Sequence, residues 1–109
     1  MGRYITTTGT AGAVFRQVTA NYNAQPNDRI LMNSAIDPFT IYLPTPSNSL
    51  ENDMIQFMDV GGALNINAVT VDANGGEIMG DSTLTLDVKG ITVTLIYTGI
   101  AGIGWFAQT

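Results

Sequence analysis

The sequence predicts an all-β domain, either an antiparallel β-sandwich or a jelly-roll-like module of about eight short strands. Its 109 residues suit a single domain. The composition favours strands and tight turns over helices, with 14 Thr and 11 Ile beside 12 Gly and 9 Asn. Apolar and polar residues alternate over short runs, and clusters of Gly, Pro, Asn and Asp separate these runs.

Alternation and turn residues place the strands in order along one β domain over residues 13–109. The candidates are residues 13–19, 28–33, 39–43, 53–59, 66–72, 83–88, 91–98 and 104–108. Residues 1–12 are expected to form an extended N-terminal arm, because the threonines after Ile5 favour strands but provide no apolar stripe. Such an arm is suited to adding a strand to a neighbouring subunit.

Three pairs of these runs are predicted to be hairpins. Residues 84–88 and 91–95 alternate on both sides of the tight turn Lys89-Gly90. Residues 28–32 with 39–43, and residues 53–57 with 68–72, share the order Asp-x-Ile, loop, Thr-centred strand. This shared order is too short to predict a solenoid repeat.

Several strands carry large apolar residues on both faces. Ile55 and Phe57 point one way while Met54 and Met58 point the other, and Ile96 falls on the threonine face of its strand. Either local bulges switch the face, or another copy of the chain covers a second apolar surface, and the second explanation is favoured. Trp105 and Phe106 alternate, so one is expected in the core and the other at a partner surface or rim. The predicted docking residues are Arg3, Tyr4 and Ile5 of the arm, with Met54, Met58, Ile96 and Phe106 of the strands.

The residue types limit the available chemistry. The chain has no Cys and no His, which excludes disulfides, thiolate or Ser-His-Asp catalysis and ordinary zinc sites. Carboxylates alone could perform glycoside hydrolysis, but the aspartates lie at strand ends and turns, where their side chains accept backbone hydrogen bonds. Residues 72–77 resemble the start of a calcium loop but are better explained by an Asn-Gly turn. We therefore expect no enzyme activity, no metal and no cofactor.

The charge disfavours two classes of partner. Four Lys and Arg residues against nine Asp and Glu residues give a net charge of −5, which opposes binding to nucleic acid or to an acidic membrane surface. No run approaches the roughly 18 apolar residues of a membrane span.

A series of short motifs resembles the small all-β modules of tailed-bacteriophage virions. In those modules a strand ending in Thr-x-x-Leu-Pro precedes a Pro/Ser-rich loop, and a final Trp strand closes the unit. The matching segments are Tyr4-Ile-Thr-Thr-Thr8, Phe15-Arg16, Asp28-Arg-Ile30, Phe39-Thr-Ile-Tyr-Leu-Pro44, residues 53–59, Leu84-Thr-Leu-Asp87, Val93-Thr-Leu-Ile-Tyr97 and Trp105. The chain departs from the modules at Glu51-Asn52-Asp53, where they often have Gly before the Asp.

The resemblance implies a function and a location. It implies a non-enzymatic structural protein of the virion, a capsid decoration (cement) or head-fibre protein, which acts as a homotrimer and binds capsid or tail proteins. The alternative is a tail-fibre or receptor-binding tip that recognises carbohydrate on the host surface. For that alternative, the expected aromatic platform would come from Tyr22, Tyr42 or Trp105.

Overall fold

The computed structural model describes residues 14–108, which form two β-sheets around one core. The predicted arm, with Arg3, Tyr4 and Ile5, lies outside the described residues, as do Ala13 and Thr109. The described part contains nine strands and a short 3-10 helix at Pro46–Asn48. The strands are β1 (Val14–Val18), β2 (Tyr22–Asn23), β3 (Asp28–Met32), β4 (Phe39–Tyr42), β5 (Met54–Asp59), β6 (Val69–Asp72), β7 (Thr83–Leu86), β8 (Thr92–Tyr97) and β9 (Trp105–Gln108). The prediction of an all-β sandwich is confirmed.

The chain winds between the two sheets rather than folding back within each one. Sheet A has the strand order β1-β3-β5-β8-β9, and sheet B has the order β2-β4-β6-β7. Because strands β1 to β6 alternate between the sheets, neighbours within a sheet come from successive windings and run parallel. Only β7, β8 and β9 pair antiparallel to their neighbours in this part of the chain. The prediction of antiparallel sheets is therefore wrong, and both sheets are mixed.

The three predicted hairpins are also absent from the described residues. In each pair the two strands lie in different sheets: β3 and β4, β5 and β6, and β7 and β8. The Lys89-Gly90 turn crosses the edge of the sandwich, where the backbone N–H of Gly90 donates to Asp59 Oδ2 at 2.9 Å. A short turn between two alternating strands fits both a hairpin and a crossing between sheets, so the local pattern could not distinguish them.

The core forms from the inward residues of both sheets. Ile30, Phe57 and Leu95 of sheet A face Ile41 and Val71 of sheet B, and all five are fully buried. Trp105 is also in this core at 1% exposure, with its ring centre 5.1 Å from that of Tyr97. The alternate residues of each strand therefore point away from the core.

Candidate interaction surface

The outward residues of sheet A form a surface in which large apolar side chains are mixed with polar ones, and we call it the outer face of sheet A. Its exposed members include Phe15 on β1 at 59%, Met54 on β5 at 44% and Phe106 on β9 at 54%. The apolar members of this face are Phe15, Leu31, Met54, Met58, Ile96 and Phe106. Aromatic and long aliphatic side chains on an outward face are a common feature of protein–protein contacts.

The strand register aligns three of these side chains in one row. Met54 lies opposite Ile96, and Ile96 lies opposite Phe106, so the row crosses β5, β8 and β9. Met58 lies on the same face of β5, opposite Leu31 of β3. The structure thus brings together the four predicted docking residues that it describes.

The row between Met54–Ile96–Phe106 and the Leu31–Met58 pair is polar except for Phe15 at its edge. It contains Gln56, whose Nε2 donates to Thr94 Oγ1 at 3.3 Å, and Arg29, the one charged side chain among the strand residues described on this face. The guanidinium Cζ of Arg29 lies 5.5 Å from the ring centre of Phe15, which is within cation–π range. A depression of about 230 Å³ opens beside Met54 and Gln56. The surface thus combines six apolar side chains with amide and hydroxyl groups, and the strand residues described there include a single cation and no carboxylate.

The outward residues of sheet B form a different surface, the outer face of sheet B. Thr40, Thr70 and Thr85 lie in one row across β4, β6 and β7. The neighbouring row contains Tyr42 and Asp72. This face is the kind of polar surface that water solvates, so the two faces of the sandwich differ sharply in character.

Asp28 is the centre of a buried polar cluster at the edge of the sandwich. This side chain is 3% exposed, and its Oδ2 accepts hydrogen bonds from the Tyr22 hydroxyl at 2.7 Å and from the Gln25 backbone N–H at 2.9 Å. Arg16 Nε lies 3.8 Å from Asp28 Oδ1. Burial, followed by the hydrogen bond and charge of Asp28, raises the pKa of Tyr22 from 10.0 to about 12. The cluster therefore keeps Tyr22 protonated.

Other aspartates hold the turns, as the sequence predicted. Asp53 accepts from the Leu50 N–H at 2.8 Å, and Asp72 accepts from the Asn74 N–H at 2.7 Å. Asn74 and Gly75 adopt positive φ angles of 54° and 94°, which confirms the Asn-Gly turn in residues 72–77. Over residues 14–108, no three acidic side chains lie close enough together to hold a metal ion.

No family model matches the chain, and no curated protein matches it. In the part that the structure describes, no helix is long and apolar enough to span a membrane. The functional proposal therefore rests on the geometry of the outer face of sheet A.

The three aromatic residues proposed for a carbohydrate platform do not share a surface. Trp105 is buried in the core, and the Tyr22 hydroxyl donates to Asp28, whereas Tyr42 lies on the outer face of sheet B. Of the three alternatives for the platform, Trp105 is therefore wrong. The prediction that Trp105 and Phe106 point to opposite sides is confirmed.

Two members of the outer face of sheet A were missed among the predicted docking residues. Both Phe15 and Leu31 lie on it. Alternation along β3 puts Leu31 on the side opposite Ile30 and Met32, and because those two residues are buried, Leu31 faces outward. The signal for Phe15 became decisive only once β1 was known to lie at the edge of sheet A.

Proposed function

We propose that this chain is a non-enzymatic structural protein of a tailed-phage virion, a capsid decoration or head-fibre protein that acts as a homotrimer. The contrast between the two outer faces is the observation that carries the proposal. One face presents Phe15, Met54 and Phe106 to solvent, and the other presents a row of three threonines beside Tyr42 and Asp72. A surface of this kind gains free energy when a partner covers it, at about 25 cal/mol per Å² of apolar area.

The positions of the resembling segments support the phage assignment. Phe39–Tyr42 is a strand that leads into Leu43-Pro44, and the segment that follows, with its short helix at Pro46–Asn48, stands where the modules have a Pro/Ser-rich loop. Trp105 begins the final described strand and is buried in the core. The segments that resemble the modules thus coincide with strands that build the fold.

Surface complementarity is the proposed mechanism of binding. The acidic side chains of Asp28, Asp53, Asp59 and Asp72 are already engaged by the chain's own donors. On the outer face of sheet A, the strand side chains that can contact a partner are apolar, hydroxyl and amide groups together with Arg29. Binding would bury the apolar rows and leave the threonine face exposed to solvent.

The test is to locate the protein on particles. Virions that carry the gene are purified on a density gradient, their proteins are identified by mass spectrometry, and antibody against the full chain is imaged by electron microscopy. Label on the capsid or neck supports the decoration or head-fibre assignment. A chain found in infected cells and missing from purified particles would contradict it.

The receptor-binding alternative rests on a different feature. A cleft of about 410 Å³ near the ends of β2 and β4 is lined by hydroxyl and amide side chains, including those of Asn23, Gln25, Thr45 and Asn48. Such groups can hydrogen-bond to sugar hydroxyls. Label at a tail tip, with binding to a glycan array that Asn23→Ala and Gln25→Ala together abolish, would favour this alternative over decoration.

A further inference from the structure

We propose that three copies of this chain pack around a threefold axis with the outer faces of their A sheets turned toward that axis. The proposal rests on the homotrimer of the proposed function and specifies its contact surface. The occupant of the outer face of sheet A is thus a second and a third copy of the same chain. Four features of sheet A support this arrangement: its width, its central strand, its two edges and its charges.

The width of sheet A suits a closed triangular prism. Five strands at ~4.8 Å each make a face about 24 Å wide, and a triangle with sides of that length has its centre about 7 Å from each side. Two sheets packed face to face are ~10 Å apart, so each normally fills about 5 Å. The strand nearest the axis must therefore carry side chains that reach farther than average.

The central strand of sheet A has such side chains. β5 lies in the middle of the strand order, and its outward residues are Met54, Gln56 and Met58. All three side chains are long and unbranched, and methionine in particular adapts to irregular gaps. A row of β-branched or small residues at this position would leave the middle of the prism empty.

The edges of sheet A are β1 and β9, and each carries an exposed phenylalanine. In a prism, β1 of one copy adjoins β9 of the next, so each edge is covered by a neighbour. Phe15 shares a row with Gln108, two residues from Phe106 along β9. The two rings from adjacent copies would therefore lie at the same corner of the prism, offset by about 7 Å along the strands.

The charges of the face are compatible with three acidic copies meeting there. Each chain has a net charge of −5, but the outward strand residues described on this face include no carboxylate. The one cation, Arg29, lies over Phe15 and so leans toward the corner of the prism rather than its axis. Contact through this face thus brings no like charges together at the centre.

The first experiment compares Ile96→Lys with Thr70→Lys in the full chain by light scattering coupled to size exclusion. Both residues are half-buried on outward faces, Ile96 on sheet A and Thr70 on sheet B, and both variants change the net charge by one. The wild type and Thr70→Lys are expected at about 35 kDa, three times the 11.6 kDa of one chain, and Ile96→Lys at the monomer mass. Circular dichroism checks that both variants are folded.

The other outcomes separate failure of this inference from failure of the proposed function. A mass of about 23 kDa would overturn the threefold arrangement, and a trimer that Ile96→Lys leaves intact would overturn the assignment of the face. A monomeric wild type that is still found on virions would overturn this inference and the homotrimer while sparing the virion location. It would indicate that a particle protein covers the outer face of sheet A.

A second measurement does not depend on the folding of Ile96→Lys. The chain has no cysteine, so Met58→Cys and Thr70→Cys each introduce a single reactive thiol on a half-buried outward position. Buried at the prism axis, the thiol of Met58→Cys should react with a maleimide at least tenfold more slowly than that of Thr70→Cys. Equal reaction rates in two variants that both keep the oligomeric state of the wild type would refute the buried face.

Discussion

Replacement of Asp59 tests how the two sheets are tied together at one end of the sandwich. Asp59 ends β5 and is 9% exposed, and its carboxylate accepts backbone N–H groups from two separate connections. Oδ1 accepts from Gly62 at 3.0 Å, and Oδ2 accepts from Gly90 at 2.9 Å, with Leu64 farther away at 3.5 Å. One side chain thus joins the β5–β6 connection to the β7–β8 crossing.

The expected loss follows from these bonds. A hydrogen bond to a charged group contributes about 1.5–3 kcal/mol, and Asp59→Ala removes two short bonds of this kind. Gly90 is exposed and Gly62 is half-buried, so water can replace part of what is lost. We therefore expect Asp59→Ala to lower the free energy of unfolding by about 3 kcal/mol. Asp59→Asn keeps one acceptor oxygen but sets an amide NH2 against the other N–H donor, so it should cost about 2 kcal/mol.

Urea unfolding followed by tryptophan fluorescence measures these values. Trp105 is the one tryptophan of the chain and is 1% exposed, so its emission reports loss of the core. All variants are compared at one protomer concentration, because an oligomer's stability depends on it. The control is Asp87→Ala, since Asp87 is exposed and accepts no hydrogen bond from the described residues, and its effect should stay within about 0.5 kcal/mol. If Asp59→Ala and Asp87→Ala have the same small effect, the tie between the connections is not a stabilising one.

Three further predictions concern other parts of the chain. Gly104→Ala should lower the free energy of unfolding by about 3 kcal/mol, because φ is +67° there and a Cβ would collide with the Glu77 carbonyl. The control is Gly90→Ala, where φ is +76° but no atom lies near the added Cβ, and its free energy of unfolding in urea should fall by only about 1 kcal/mol. Since the folded state raises the pKa of Tyr22 from 10.0 to about 12, the folded chain binds the proton more tightly, and its free energy of unfolding should fall as the pH rises from 10 to 12. Tyr22→Phe should reduce this fall, and equal pH profiles of the two proteins would contradict the assignment. Deletion of residues 1–10 should leave the circular dichroism spectrum and Tm unchanged while weakening binding to particles, whereas loss of folded structure would place the arm in the core.

The sequence predicted the outward and inward faces of the strands well. The alternation in β5 put Ile55 and Phe57 on one side and Met54 and Met58 on the other, as the structure has them. Period 2 in a strand follows from the backbone pleat alone, so it needs no knowledge of neighbouring strands. Side-chain direction could therefore be read locally, as could the turn roles of the aspartates.

The pairing of strands could not be read in the same way. The similar segments that begin at Asp28 and Asp53 looked like two hairpins, whereas they are successive windings of one chain. Ile30 pairs with Phe57 rather than with Ile55, its counterpart in the shared motif. The windings are thus shifted by two residues relative to the motif, and this shift obscures the repeat. Parallel pairing depends on contacts between distant segments, which no local turn signal records.

The shift also explains why the surface prediction survives the error in topology. A shift of two residues is one full side-chain period, so every apolar side chain keeps its face whichever strand lies beside it. Met54 and Ile96 were assigned to an outward surface on their own strands' patterns, and their pairing in β5 and β8 then placed them side by side. An odd shift would have set outward residues of β3 beside inward residues of β5. The outer face of sheet A therefore follows from alternation within strands together with a register that moves in steps of two.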